Sequence, residues 1–125
     1  MSSEIVKELD DYREIMYNGW VRDKYVKGSQ DLEKELEALE ENKLTLEFLN
    51  NQIVETTFTK IGDRLTHCLI TVKNGFLFTG ESSCVDAANY NKSMGEKIAY
   101  DNAFDKMWPA YGFILRQHLA ETNRL

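Results

Sequence analysis

The dipeptide Asn74-Gly75 lies between two apolar, strand-like runs, and it constrains the fold more than any other feature of the chain. Before it stands Leu65-Thr66-His67-Cys68-Leu69-Ile70-Thr71-Val72-Lys73, and after it Phe76-Leu77-Phe78-Thr79. Asn-Gly supplies the two positive-φ positions of a type I′ turn, so the two runs read as a tight hairpin. Upstream, Ile53-Val54-Glu55-Thr56-Thr57-Phe58-Thr59-Lys60 is rich in β-branched residues, and Gly62-Asp63 joins it to the next run. Three adjacent strands joined by tight turns make a three-stranded antiparallel meander over residues 53–79.

On either side the period changes to that of a helix. Ile5, Val6, Leu9, Tyr12, Ile15, Met16 and Trp20 recur at spacings of three and four, with Ser2 or Ser3 able to cap the start. Gly28-Ser29 breaks the pattern, and Ser29 or Asp31 can cap a second helix striped by Leu32, Leu36 and Leu39. Glu33, Glu35, Glu37, Glu40 and Glu41 lie outside that stripe. The pair reads as an N-terminal helical hairpin over residues 1–42 with an acidic, solvated face. Its leucine stripe could also serve as an oligomer seam, although it is too short for a coiled coil. From Leu44 to Asn51 the pattern is ambiguous: Leu44, Leu46 and Phe48 alternate as in a strand, and Leu49 breaks the alternation.

Residues 80–92 are polar and turn-rich and read as a loop. Met94, Ile98, Ala99, Tyr100, Ala103, Phe104, Met107 and Trp108 then return to helical spacing, which continues to about Ala120. Pro109 is the sole proline; it lacks an N–H and crowds the preceding turn, so it should kink or restart this helix. The expected architecture over residues 1–125 is a single α+β domain. It comprises the helical hairpin, the meander, the loop and a C-terminal proline-broken helix over 93–120.

With 42% hydrophobic and 29% charged residues the chain has globular composition. A formal charge of −6 argues against a general DNA or RNA coat, which needs a basic surface, but leaves room for one small anion held by local cations. Cys68 and Cys84 sit in patterns that need no disulfide and read as free thiols in a reducing compartment. The start, Met1-Ser2-Ser3-Glu4, lacks the pattern of a signal peptide, and no apolar run has the length to cross a bilayer. A soluble intracellular protein with no membrane partner is expected.

Catalytic chemistry finds little support. His67 and His118 come from distant segments without metal-ligand spacing, and the zinc, P-loop and GxSxG motifs are absent. A nucleophilic pair of Cys84 with His67 would require the fold to join them. The reading is of a chain with no catalytic residue, no metal and no cofactor. The loop at 80–92 differs in kind, being longer than packing requires. Phe76 and Phe78 precede it, and it carries Ser82, Ser83, Asn89, Tyr90, Asn91 and Lys92 before entering a helix that bears Lys97. Aromatic faces can stack on a base, amides can read its edge, and a helix N-terminus with lysines can hold phosphate. The competing structural reading puts Phe76 and Phe78 in the core, makes Asp86 and Asn89 helix caps, and leaves Lys92, Lys97 and Lys106 as surface cations.

The order of uncommon words in this half carries a resemblance. Asn74-Gly75-Phe76, Thr79-Gly80-Glu81-Ser82-Ser83-Cys84-Val85-Asp86, Ile98-Ala99-Tyr100-Asp101-Asn102-Ala103, Trp108-Pro109, Gly112-Phe113 and Leu115-Arg116-Gln117 resemble a small tailed-phage and prophage family labelled by gene products 49 and 66. The helical hairpin lies outside that resemblance. The layout is also similar to the first Thoeris anti-defence proteins, oligomeric sponges that sequester cyclic ADP-ribose isomers, some of which also hold cyclic oligonucleotides. There an aromatic and an asparagine around the strand-to-helix loop hold the base, and basic residues of a C-terminal helix hold phosphates. The resemblance implies such roles for Phe76 or Phe78, Asn89 or Asn91, and Lys106 or Arg116, with a lysine departing from the expected arginine fork. It implies a homo-oligomer in the host cytoplasm whose partner is a nucleotide second messenger. The alternative expectation is an accessory protein that binds a host or phage polypeptide through its acidic N-terminal helices, with Leu32, Leu36 and Leu39 exposed.

Overall fold

A computed structural model describes residues 28–123 together with Lys7 and Glu8. The first arm of the expected helical hairpin, and the caps at Ser2, Ser3, Ser29 and Asp31, lie outside the described residues and side chains. The described part is α+β. Helix α1 (Gly28–Glu37) leads through a short 3-10 turn (Glu40–Asn42) to α2 (Leu46–Gln52). Strands β1 (Ile53–Ile61), β2 (Leu65–Val72) and β3 (Leu77–Ser83) follow. A second 3-10 turn (Ala87–Asn89) then precedes α3 (Lys92–Asp105) and α4 (Met107–Glu121).

The strands form one antiparallel sheet in the order β1-β2-β3, the expected meander. Along β2 burial alternates strictly: Thr66, Cys68, Ile70 and Val72 are buried, while Leu65, His67, Leu69 and Thr71 are half-buried. The buried set faces the helices, and the other set lines the uncovered face. The second turn differs from the type I′ expectation. Gly75 has φ 89°, and Asn74 is not among the residues at positive φ. Gly75 N–H bonds Val72 C=O at 2.8 Å and Val72 N–H bonds Phe76 C=O at 3.1 Å. Asn74 Oδ1 accepts from Phe76 N–H at 2.9 Å. One left-handed glycine after an ordinary turn closes a three-residue loop, and the asparagine contributes through its side chain rather than its backbone.

The ambiguous stretch before the sheet is helical. Thr45 caps α2 by accepting from Phe48 N–H at 3.0 Å, and Phe48, Leu49 and Gln52 form its buried face. Sequence alternation there was decided by burial of adjacent residues 48 and 49, which only a helix places on one side. The leucine stripe of α1 also turns inward: Leu36 is buried, and Leu32 and Leu39 pack on the core beside it. Neither an exposed stripe nor an oligomer seam is therefore formed by Leu36. Glu35 anchors the same helix, accepting from Lys73 Nζ at 2.6 Å and from Gln52 Nε2.

The C-terminal helix breaks as expected, and the break falls at Lys106. Pro109 cannot donate to the carbonyl of Asp105 four residues earlier, and its ring crowds that oxygen, so α3 ends there. Within α4 itself Pro109 occupies the first turn, where an N–H would have no helical acceptor. Replacing it by alanine is expected to change stability by less than about 1 kcal/mol, checked by chemical denaturation.

Glycine and alanine set how closely α3 lies on the sheet. A Cβ on Gly80 would stand closer than 3.0 Å to backbone atoms of Ala99 and Ala103. One on Gly95 would stand 2.7 Å from Thr66 Oγ1. Gly80, Ala99 and Ala103 are all buried, so the helix backbone rests directly on β3. Helix α4 crosses the hairpin end of the sheet, where Tyr111 packs on Phe78 and Phe48 with centroids 6.3 and 5.9 Å away. Burial, and secondarily Glu35, push the Tyr111 hydroxyl up from 10.0 to about 12. Above pH 10 the unfolded chain gives up this proton while the folded chain keeps it, so stability is complete below pH 10 and falls toward pH 12. The expected loss is about 2–3 kcal/mol, and Tyr111→Phe should flatten that part of the alkaline limb in melting curves taken from pH 9 to 12. Tyr100, raised in the same direction by its own burial, remains in both proteins as the residual slope.

Candidate functional site

Strand β3 runs on to Ser83, so the expected loop at 80–92 is shorter: Gly80 to Ser83 belong to the sheet, and the connection is Cys84 to Asn91. Side chains shape it locally. Asp86 Oδ1 accepts from Ala88 N–H at 2.9 Å and caps the 3-10 turn, while Asn91 Oδ1 accepts from Met94 N–H at 3.0 Å and caps α3. Cys84 N–H bonds Arg64 C=O at 3.1 Å, and Arg64 Nη1 reaches Val85 C=O at 3.3 Å. The connection is thereby tied to the Gly62–Arg64 turn.

Between this connection, the β1–β2 turn and the first turn of α3 lies a cleft of about 90 Å³. Arg64, Ser82, Ser83, Asn89, Tyr90 and Asn91 supply its polar wall, and Met94 and Ile98 its apolar one. Tyr90 is the pivot. Its hydroxyl lies 3.2 Å from Thr66 Oγ1, and Lys60 Nζ sits 4.2 Å over its ring. Ser82 Oγ donates to Gly95 C=O at 2.6 Å, closing the floor. Arg64 also meets Asp63 at 3.5 Å, an exposed pair that leaves most of its guanidinium to solvent. Two cations, an aromatic ring and a set of amides and hydroxyls can together stack a base or ribose and hold an anionic oxygen.

The structure divides the residues expected to form one site. Asn89, Tyr90 and Asn91 line the cleft, with Lys92 exposed beside them at the start of α3. Phe76 and Phe78 stand at the opposite end of the sheet, about 13 Å along β3, counted at 3.3 Å per residue from Phe78 to Ser82. There Phe78 is 6% exposed, stacks edge-on with Phe76 at 5.1 Å, and lines a separate hollow of about 190 Å³ with Tyr111 and Ile114. Phe78 is core, so the structural reading holds for it, and Phe76 is 45% exposed at the rim. Lys106 donates to Thr79 C=O on the free edge of β3, and Arg116 is exposed on α4. The cleft's other lining residues, Thr66, Met94, Gly95 and Ile98, and Lys60, which lies over the Tyr90 ring beside it, carried no sequence signal as a group. Arg64 could have been reached through register, since Leu65 pairs with Ser83 and places the preceding turn beside the connection.

The remaining titratable candidates are engaged elsewhere. His67 Nδ1 meets Glu81 Oε1 at 3.0 Å on the uncovered sheet face, while Cys84 Sγ faces Arg64 C=O at 3.8 Å. Cys68 and Cys84 are free thiols, and burial raises the Cys68 pKa. Among the described residues no helix is long and apolar enough to cross a membrane.

The fold and cleft define a small antiparallel sheet roofed by two helices, with a small hollow, largely apolar in surface and rimmed by polar side chains, where sheet and helix meet. Residues 44–119, from the approach to α2 through the buried part of α4, match the Phage protein (N4 Gp49/phage Sf6 gene 66) family. The chain belongs to that family. No curated protein and no solved structure matches it.

Proposed function

We propose that the chain is a phage anti-defence sponge that binds a host nucleotide signal, a cyclic ADP-ribose isomer or cyclic oligonucleotide, without cleaving it. The observation that carries the reading is the Tyr90 cleft: an aromatic ring under Lys60, with Arg64, Asn89, Asn91, Ser82 and Ser83 on its walls. In a chain of net charge −6 these cations form a local anion site rather than a basic surface. Ring and amides address a base, and Arg64 with Lys60 or Lys92 addresses a phosphate. The test incubates the protein with cyclic ADP-ribose isomers and cyclic di- and trinucleotides, followed by heat release. Depletion of one of them and its intact recovery is the expected result. Recovery as a cleaved product would establish a hydrolase instead, and no depletion would sink the reading.

A second reading, an interaction protein acting through its acidic helices, is favoured by one observation. The hollow between α1 and α2, about 490 Å³, carries Glu35, Glu40 and Glu47 and suits a basic polypeptide segment. Because Leu36 is buried in the core, deleting the helix would not separate the readings. Charge reversal does: Glu40→Lys with Glu47→Lys should abolish polypeptide binding and leave nucleotide depletion unchanged.

A further inference from the structure

Helix α1 is held to the rest of the protein along a narrow line. Leu36 is 3% exposed, and Leu32 and Leu39 are half-buried before and after it. Hollows open on both flanks of that line. The one of about 490 Å³ lies toward α2 and is lined by Leu39 and Phe48. The other, of about 240 Å³, lies toward α4 and is lined by Leu32, Leu36, Phe113 and Ile114. Among the described residues the polar hold rests on Glu35. Its carboxylate accepts from Lys73 Nζ at 2.6 Å and from Gln52 Nε2, tying α1 to the end of β2 and to α2.

The turn that follows α1 is strained. Glu41 and Asn42 both have φ 54°. Asparagine tolerates left-handed backbone through local bonds of its short side chain, but glutamate gains nothing comparable. Nothing within the turn compensates. Residues 40–43 are exposed, the 3-10 turn has no side-chain cap, and the bond that closes it, from Lys43 N–H to Glu40 C=O, is 3.3 Å long. The ion pair of Lys43 with Glu41 at 3.2 Å lies in solvent, where it contributes little. The two ends of the turn therefore impose its conformation. Helix α2 is fixed by the Thr45 cap and by buried Phe48 and Leu49, so the docking of α1 is what holds Glu41 and Asn42 left-handed.

We infer that α1 is a hinged strap: it opens as one unit about Glu41 and Asn42, and the Glu35–Lys73 pair is its latch. Opening relaxes the left-handed pair and gives up the latch and the burial of the leucine stripe. It spares the meander and α3, because neither the strand ladder nor the contact of Gly80 with Ala99 and Ala103 involves α1. It also joins the two hollows into one groove, with Phe48 on one side and Ile114 on the other. The strap belongs to the helix layer and is independent of what the Tyr90 cleft holds.

Amide hydrogen exchange of the whole chain, followed by mass spectrometry, tests this. The amides of residues 32–38 should exchange together and at least about a hundredfold faster than those of β2 and α3. Lys73→Met removes the latch. It should speed the exchange of α1 by roughly tenfold or more and leave β2 and α3 at their wild-type rates. Glu41→Gly keeps the latch and frees the closed state of its left-handed penalty, so it should slow the exchange of α1 by about threefold or more. Exchange of α1 at the rate of β2 overturns the strap. Equal acceleration of all elements in Lys73→Met, or its failure to fold, makes the pair a support of the whole fold and overturns the latch. Unchanged or faster exchange in Glu41→Gly overturns the hinge.

Discussion

Gly80→Ala is expected to cost about 3 kcal/mol and to lower the melting temperature by roughly 10–15 °C. The new methyl would stand closer than 3.0 Å to the backbone of both Ala99 and Ala103, where no rotamer change can relieve the contact. Either α3 lifts from β3 or β3 bends away from β2. Lifting the helix also strains the bonds from Asn102 to Glu81 and from Lys106 to Thr79, which depend on the same close approach. Gly112, with open space around its Cβ position, is the matched control, and Gly112→Ala should raise stability slightly through helix propensity. Thermal and urea unfolding of both variants measure the contrast. Equal, small effects at the two glycines would mean that the helix does not rest on the sheet as described.

This contact explains part of what could and could not be seen in the sequence. The meander was visible because its runs are rich in β-branched and aromatic residues and because Gly62 and Asn74-Gly75 punctuate them. The turn type at Asn74 was not visible, since an asparagine side-chain bond and an asparagine at positive φ look alike in a sequence. Helix α2 was hidden because Leu44, Leu46 and Phe48 alternate by coincidence while the buried face is Phe48, Leu49 and Gln52. Words that carried the family resemblance, Thr79-Gly80 and Ala99 through Ala103, turn out to be where α3 meets β3, so they specify packing. The half of the site that could be read, Asn89 to Asn91, is contiguous. Lys60, Arg64 and Thr66 join it only through strand register, which is set by long-range pairing rather than by local pattern. Phe76 and Phe78 were drawn to the loop by proximity in sequence, yet a strand carries its residues away from a loop at about 3.3 Å each.

Tyr90→Ala should weaken nucleotide binding roughly ten- to a hundredfold, because one base stacked on an aromatic ring is worth about 1–3 kcal/mol. The same substitution removes the surface beneath Lys60 and the bond to Thr66, so its effect on the fold must be separated from its effect on the ligand. Tyr90→Phe does this. It deletes only the hydroxyl that lies 3.2 Å from Thr66 Oγ1, keeps the ring and the cation over it, and should bind within about threefold of the wild type. Phe76→Ala tests the other end of the sheet, where an exposed aromatic rim borders a hollow of about 190 Å³. That variant should bind as the wild type does. Calorimetric titration of the three proteins, each first shown to keep its melting transition, decides between the two ends. Loss in Tyr90→Ala alone places the ligand at the connection before α3. Loss in Phe76→Ala alone moves it to the hollow under α4, where Phe76 borders the β2–β3 turn and the amides of Asn89 and Asn91 lie too far away to read a base.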